Sequence, residues 1–178
     1  MNKIKIQYFK SSFGELLLGS FDNQLCLADW RYRKMRTSID NRIQSGLAAE
    51  YEEDESEITE NTKEQLLEYF DGKRTAFEIP LLTVGSDFQK KVWDELRKIP
   101  FGKTNTYLGL SKKLGNEKAI RAVAGANGAN AISIIVPCHR IVGAKGELVG
   151  YAGGLAVKQK LLNLEGLGKN TRQLELFD

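Results

Sequence analysis

Histidine is almost missing from this chain and cysteine is scarce: His139 is the one histidine, and Cys26 and Cys138 are the two cysteines, among 178 residues. A structural zinc site wants about four Cys or His ligands. Three such residues, two of them sequence neighbours, do not make one, and no metal is expected. Two cysteines build no disulfide framework, and their scarcity fits a reducing compartment. No apolar run approaches the ~20 residues that a membrane span needs. Residues 1–10 alternate polar and apolar side chains and hold no stretch long enough for a secretory signal. A cytoplasmic protein away from the membrane is expected. Phosphate-cradling loops and dinucleotide fingerprints are also lacking, so no cofactor is expected.

What is present is enough apolar material, 42% of residues, to bury the core of one domain or two small ones. The net charge of +3 is unevenly spread. Residues 86–170 carry 14 Lys and Arg against 6 Asp and Glu, whereas residues 1–85 carry 11 against 15. A basic second half fits an anionic partner docking there, and it equally fits an ordinary solvated surface.

Residues 4–9 alternate apolar and polar side chains, 15–21 and 24–30 are also strand-like, and short turn sequences separate the three, which predicts a three-stranded antiparallel meander. Residues 31–60 are polar and weakly periodic, partly helical with a mobile middle around the acidic stretch 50–57. A short helix is predicted over 62–70, stopped near Gly72, and one more strand over 77–81. Ser86-Asp87-Phe88-Gln89 fits a capping box, opening a helix with Phe88, Val92 and Leu96 on one face and Pro100 at its close. A short helix over 107–114 ends at Gly115. Asn116 caps another over 117–127, so the pair makes a candidate helix-turn-helix. In that second helix Ile120 and Val123 point to a core, while Arg121, Gly125 and Gly128 recur on another face. Glycine costs a helix roughly 1 kcal/mol per site relative to alanine, so such a face calls for a reason. Tight packing against another helix is one, and close approach to a groove is the other. Residues 140–149 read as strand, turn, strand. Residues 155–165 read as an amphipathic helix with Val157, Leu161 and Leu164 inward.

Chemistry gathers at Pro137-Cys138-His139-Arg140. A lone buried cysteine is usually a small core residue, and a lone histidine is usually structural. Side by side, after a proline that ends regular pairing and before a cation, they read as a site. A free thiol has a pKa of ~8.5, which nearby cations lower, and the thiolate is the attacking species. Neighbouring residues do not face each other in regular structure, so contact between them needs a sharp turn or a bridging water.

The block Ile135-Val136-Pro137-Cys138-His139-Arg140-Ile141-Val142 resembles the active-site block of the O6-alkylguanine-DNA alkyltransferases, the methylated-DNA–protein-cysteine methyltransferases. The similarity extends through Gly150-Tyr151-Ala152-Gly153-Gly154-Leu155-Ala156-Val157-Lys158 to Glu165, and upstream to Phe101-Gly102-Lys103-Thr104-Asn105-Thr106-Tyr107 and Arg121-Ala122-Val123-Ala124-Gly125-Ala126. It covers about residues 86–166; the N-terminal half matches in strand order alone.

This resemblance implies an α+β chain. A ribonuclease H-like domain with an antiparallel sheet would occupy 1–85, a mostly helical DNA-binding and alkyl-acceptor domain with a helix-turn-helix 86–170, and a tail 171–178. It implies a monomer that binds double-stranded DNA from the minor groove, flips out O6-alkylguanine or O4-alkylthymine, and transfers the alkyl group once, irreversibly, to Cys138. His139 and Glu165 would activate the thiol. Tyr107 would rotate the nucleotide and donate a proton to the base, Asn130 would brace the active-site turn, and Lys158 would support the tyrosine. Arg121 would fill the gap left by the base, with Ala122, Gly125, Ala126 and Asn127 along the groove. Ile141, Tyr151, Ala152 and Ser133 would line the pocket, with Ser133 near its rim. Ala152 stands where relatives often have serine, and Ser133 where some have proline. A pure helix-turn-helix regulator would not need Cys138, His139 and Glu165 together, and a redox protein would usually want a resolving thiol. Cys26, in an alternating strand, reads as a packed residue.

Overall fold

The computed structural model describes residues 2–168; the expected tail at 171–178 lies outside them. The chain divides into two compact units between Gly85 and Ser86. No helix among the described residues is long and apolar enough to cross a membrane.

In the first unit β1 (Asn2–Ser11), β2 (Gly14–Phe21) and β3 (Gln24–Trp30) form the antiparallel meander, in register Tyr8↔Leu17 and Leu18↔Ala28. Leu16, Leu17 and Leu18 are all buried, so the middle strand is covered on both faces. The segment 31–60 is ordered in secondary structure and not the partly mobile stretch expected. It holds α1 (Arg36–Leu47) and β4 (Ala49–Glu53), which pairs parallel to β1 and completes the sheet order β3-β2-β1-β4. The first part of the acidic stretch, residues 50–53, lies on an edge strand. Its register sets Glu50 beside Lys3, with an ion pair at 3.5 Å, and Lys5 reaches Asp54 just beyond it at 2.7 Å. Opposite charges across a strand pair stabilise it, and charge on an edge discourages further pairing.

The next helix, α2 (Glu57–Phe70), begins five residues earlier than expected. Its capping box uses Ser56 and Thr59 rather than an acid or amide. The strand expected at 77–81 is absent apart from a single bridge between Leu25 and Leu81. Gln65 takes both backbone groups of Glu78, at 3.1 and 2.9 Å. Pro80 has no N–H to offer a ladder.

In the second unit the Ser86 capping box opens α3 (Asp87–Arg97). Val92 and Leu96 are buried, but Phe88 is part-exposed. Then follow β5 (Asn105–Thr106), α4 (Tyr107–Lys113), a 3₁₀ turn at Glu117–Ala119 and α5 (Ile120–Gly128). Gly115, at φ 77°, makes the tight turn between α4 and that 3₁₀ turn in a conformation that favours glycine. Val123 is fully buried, whereas Ile120, expected beside it, is exposed. A second 3₁₀ turn, Cys138–Arg140, leads into β6 (Ile141–Val142), which pairs parallel to β5. Among the described residues no second strand follows β6: Lys158 takes the carbonyls of Val149 and Gly150, and a turn is closed by Gly143 N–H on the Glu147 carbonyl. The last helix, α6 (Leu155–Leu164), buries Leu161 as expected, together with Lys158 and Leu162, while Val157 and Leu164, expected inward, are half-buried.

Candidate active site

The turn that carries Cys138 is built from unusual backbone. Ile134 sits at φ 73°, rare for a β-branched side chain, and the Ile135 N–H bonds back to the Ser133 carbonyl at 2.9 Å, closing a three-residue turn. A second three-residue turn, around Pro137, joins the Cys138 N–H to the Val136 carbonyl at 2.8 Å. Strained backbone of this kind costs on the order of 1–3 kcal/mol and persists where its surroundings over-determine it. Asn130 does that here. Its amide nitrogen donates to the Val136 carbonyl at 2.9 Å and to that of Ile132 at 3.4 Å, and its oxygen accepts from the Ile132 N–H at 3.0 Å. Asn130 lies two residues past α5, so the same side chain ties that helix to the cysteine turn.

Cys138, His139 and Arg140 are all buried on this turn. His139 Nε2 lies 3.0 Å from Glu165 Oε2. The proton is therefore on Nε2, donated to the carboxylate, and Nδ1 carries the lone pair; Nδ1 has no hydrogen-bond partner among the described residues. Glu165 is shared. Arg140 Nε donates to Oε1 at 2.8 Å and to Oε2 at 3.2 Å, its Nη2 also bonds Oε1, and its Nη1 donates to the Ile99 carbonyl at 2.6 Å. Arg140 was missed as a site residue. Its one sequence signal was a cation next to His139.

Burial sets the electrostatics. It works to raise the Glu165 carboxyl, but His139 and Arg140 outweigh it and hold the group below its ordinary value. Burial is also the largest effect on His139, pulling the imidazole below its usual range; Glu165 opposes this, and Arg140 and Lys158 reinforce it. Lys158 is fully buried and its ammonium is pushed down to about 8 by burial, against the pull of Cys138. Its Nζ donates to the carbonyls of Ile141 (2.5 Å), Val149 (2.6 Å) and Gly150 (3.2 Å), so it braces the chain around β6; the described contacts do not include the tyrosine it was expected to support.

Tyr107 opens α4, half-buried, with its phenol raised by burial and by charge on Cys138, while the Asn127 amide acts the other way. Tyr151 packs edge-on to the His139 ring at 6.4 Å. Ile141 is fully buried and Ala152 half-buried. Ser133, expected near a rim, is 1% exposed and belongs to the strained turn. Cys26 stands apart in β3: it is buried, its thiol donates to the Gly19 carbonyl at 3.5 Å, and burial pushes it up to about 12.

On α5, Arg121, Ala122, Gly125 and Gly128 are exposed. Ala126 and Asn127, expected on the same groove-facing surface, point inward instead. Trp93 donates to the Ala126 carbonyl at 2.8 Å, and Asn127 lies beside Tyr107.

Comparison with known proteins agrees over both units. Residues 4–83 match the ribonuclease-like domain of 6-O-methylguanine DNA methyltransferase, and residues 87–167 match its DNA binding domain. A methylated-DNA–protein-cysteine methyltransferase of Methanosarcina acetivorans is 40% identical over 159 residues, 89% of this chain and 96% of that one. The crystal structure of Mycobacterium tuberculosis O6-methylguanine methyltransferase superposes with a TM-score of 0.76 at 34% identity, covering 91% of this chain and 92% of that one. The same organism's OGT in complex with DNA superposes with a TM-score of 0.76 at 33% identity, covering 95% and 96%. Matched in both halves, in the same order and over nearly the whole length of its relatives, the chain belongs to the methylated-DNA–protein-cysteine methyltransferase family.

Proposed function

We propose that this protein repairs alkylated DNA by direct reversal, moving the alkyl group of O6-alkylguanine, chiefly methyl, onto Cys138. The observation that carries this reading is the buried Cys138-His139 pair with its imidazole oriented by Glu165 and its Nδ1 left as an open acceptor. The thiol proton passes to Nδ1 through one bridging water. The sulfur attacks the alkyl carbon, an S–C bond forms, and the C–O6 bond breaks. The departing guanine takes a proton from the Tyr107 hydroxyl, and the proton held by His139 restores the phenol. The product is a thioether without a good leaving group, and no residue present reverses it, so each molecule reacts once.

A stacked base hides its O6 atom, so the nucleotide must leave the duplex first. Arg121, exposed among small residues on α5, fills the vacated space, and the lack of side chains at Gly125 and Gly128 lets the helix approach a minor groove. Asn130 and Lys158 hold the cysteine turn and the chain beyond it. Tyr151, Ala152 and Ile141 line the base pocket. O4-alkylthymine fits the same chemistry, since an alkyl carbon on an exocyclic oxygen is attacked in the same way. The work is done as a monomer, on cytoplasmic DNA.

The test is mass spectrometry after mixing with duplex DNA containing O6-methylguanine. One added methyl, mapped to Cys138, is expected, and Cys138→Ala takes none while still binding the duplex. A methyl on Cys26, or none, contradicts the proposal.

A further inference from the structure

The catalytic carboxylate is held twice, by an imidazole and by a guanidinium. The imidazole gives Glu165 one hydrogen bond, to Oε2, while the Arg140 guanidinium contacts both oxygens and is itself fixed by the Ile99 carbonyl. All three side chains are buried: His139 is 0%, Glu165 4% and Arg140 6% exposed. A buried cluster favours the protonation state closest to electroneutrality, because uncompensated charge is costly away from water. Guanidinium stays charged at any ordinary pH. With Arg140 present, the neutral state is guanidinium, carboxylate and uncharged imidazole. Were Arg140 uncharged, the neutral state would be carboxylate with imidazolium. The arginine thus decides which form of His139 the cluster favours.

We infer that Arg140 is a positioning residue that keeps His139 an uncharged proton acceptor at rest, by gripping both oxygens of Glu165 and supplying the buried positive charge that balances it. This rests on the alkyl-transfer reading and adds a resting state to it. The other charged or titratable groups around the imidazole are Cys138 on its own turn, Lys158 and Glu165 from α6 and its end, and Tyr151 from the loop before α6; Tyr107 of α4 senses Cys138. Lys158, when charged, pushes in the same direction as Arg140.

The chain's one histidine makes the test direct. Imidazole ¹⁵N resonances of the intact, DNA-free protein report tautomer and titration midpoint without assignment. The wild type is expected to be neutral at pH 7 with its proton on Nε2. Arg140→Gln is expected to raise the midpoint by about one pH unit or more, a tenfold change in the protonation constant. Arg140→Lys keeps the charge but not the two-oxygen grip, and its midpoint is expected between the two. An Arg140→Gln midpoint at or below that of wild type overturns the inference, and reduces Arg140 to a structural brace. Should Arg140→Gln not fold, Arg140→Lys against wild type decides: a rise supports the inference and an unmoved midpoint overturns it. Methyl transfer to Cys138 with an unmoved midpoint rejects this inference alone; the expected midpoints without transfer reject the proposed activity instead.

Discussion

Asn130 holds the carbonyl of Val136 at 2.9 Å, and so suspends the cysteine turn from the end of α5. That bond is donated by the amide nitrogen, and the oxygen of the same amide accepts from the Ile132 N–H. One side chain therefore satisfies buried backbone on both sides of Ile134, where the chain is strained.

Removing that side chain orphans the Ile132 N–H, at roughly 1–3 kcal/mol, and takes one hydrogen bond from the Val136 carbonyl, which keeps the Cys138 N–H. Asn130→Ala is expected to lower unfolding stability by about 2–4 kcal/mol and to slow methyl transfer, because the turn then relaxes and Cys138 with it. Urea denaturation and single-turnover transfer read the two effects. Wild-type rate in a destabilised variant would mean the turn holds its shape without the amide.

Lys158 makes stability depend on pH in an unusual direction. Its folded pKa of about 8 lies below the ordinary 10.5. Between those values the unfolded chain holds a proton that the folded chain has released, so stability rises with pH. The contribution is full above the unfolded value and lost as pH falls through the folded one. The slope approaches 1.4 kcal/mol per pH unit where the proton difference is complete. Comparing wild type with Lys158→Met from pH 7.5 to 9.5 isolates it: the difference between their unfolding free energies should move in the wild type's favour as pH rises. A constant difference would mean that the three carbonyls hold the ammonium charged despite its burial.

The two thiols should separate cleanly. Cys26 is buried and its thiol is pushed up to about 12, so at pH 8 almost none is thiolate. A chromogenic disulfide reagent is expected to find Cys138 first and Cys26 only on unfolding, and Cys26→Ser should leave methyl transfer intact. Two thiols reacting at one rate in the folded protein would contradict this.

What was legible in the sequence followed from local signals. The Ser86 capping box, the Gly115 turn and the three strand-like runs with their turns each announce themselves within a few residues. α1 did not. Its N-cap, Met35, makes no side-chain bond, and its end is Ala48 at φ 47° instead of glycine. Its start is held by Arg33 and Arg36 on the buried Asp29, at 3.1 and 3.0 Å, which is tertiary information. β4 was hidden because its acidic residues answer lysines on β1, far away in sequence. In the site, Cys138, His139 and Glu165 were recognisable from a motif. The hold of Arg140 on Glu165 spans 25 residues and appears once α6 is folded against the turn. The inward turn of Ala126 and Asn127 likewise depends on Trp93 and Tyr107, which come from other helices.

Arg121 separates binding from chemistry. It is exposed on α5, and the buried Cys138 cluster does not include it. If it fills the space of an everted nucleotide, its loss weakens repair where a base must be flipped and nowhere else. Arg121→Ala is expected to slow methyl transfer from duplex DNA by about tenfold or more, the scale of a few kcal/mol of unstacking left uncompensated, while leaving reaction with the free base O6-benzylguanine unchanged. Phosphate contacts from the basic second unit should make duplex binding weaken steeply with salt, and the free-base reaction should not respond. Single-turnover rates on both substrates at two salt concentrations distinguish the cases. Equal losses on duplex and free base would place Arg121 in the pocket's support instead of in the groove.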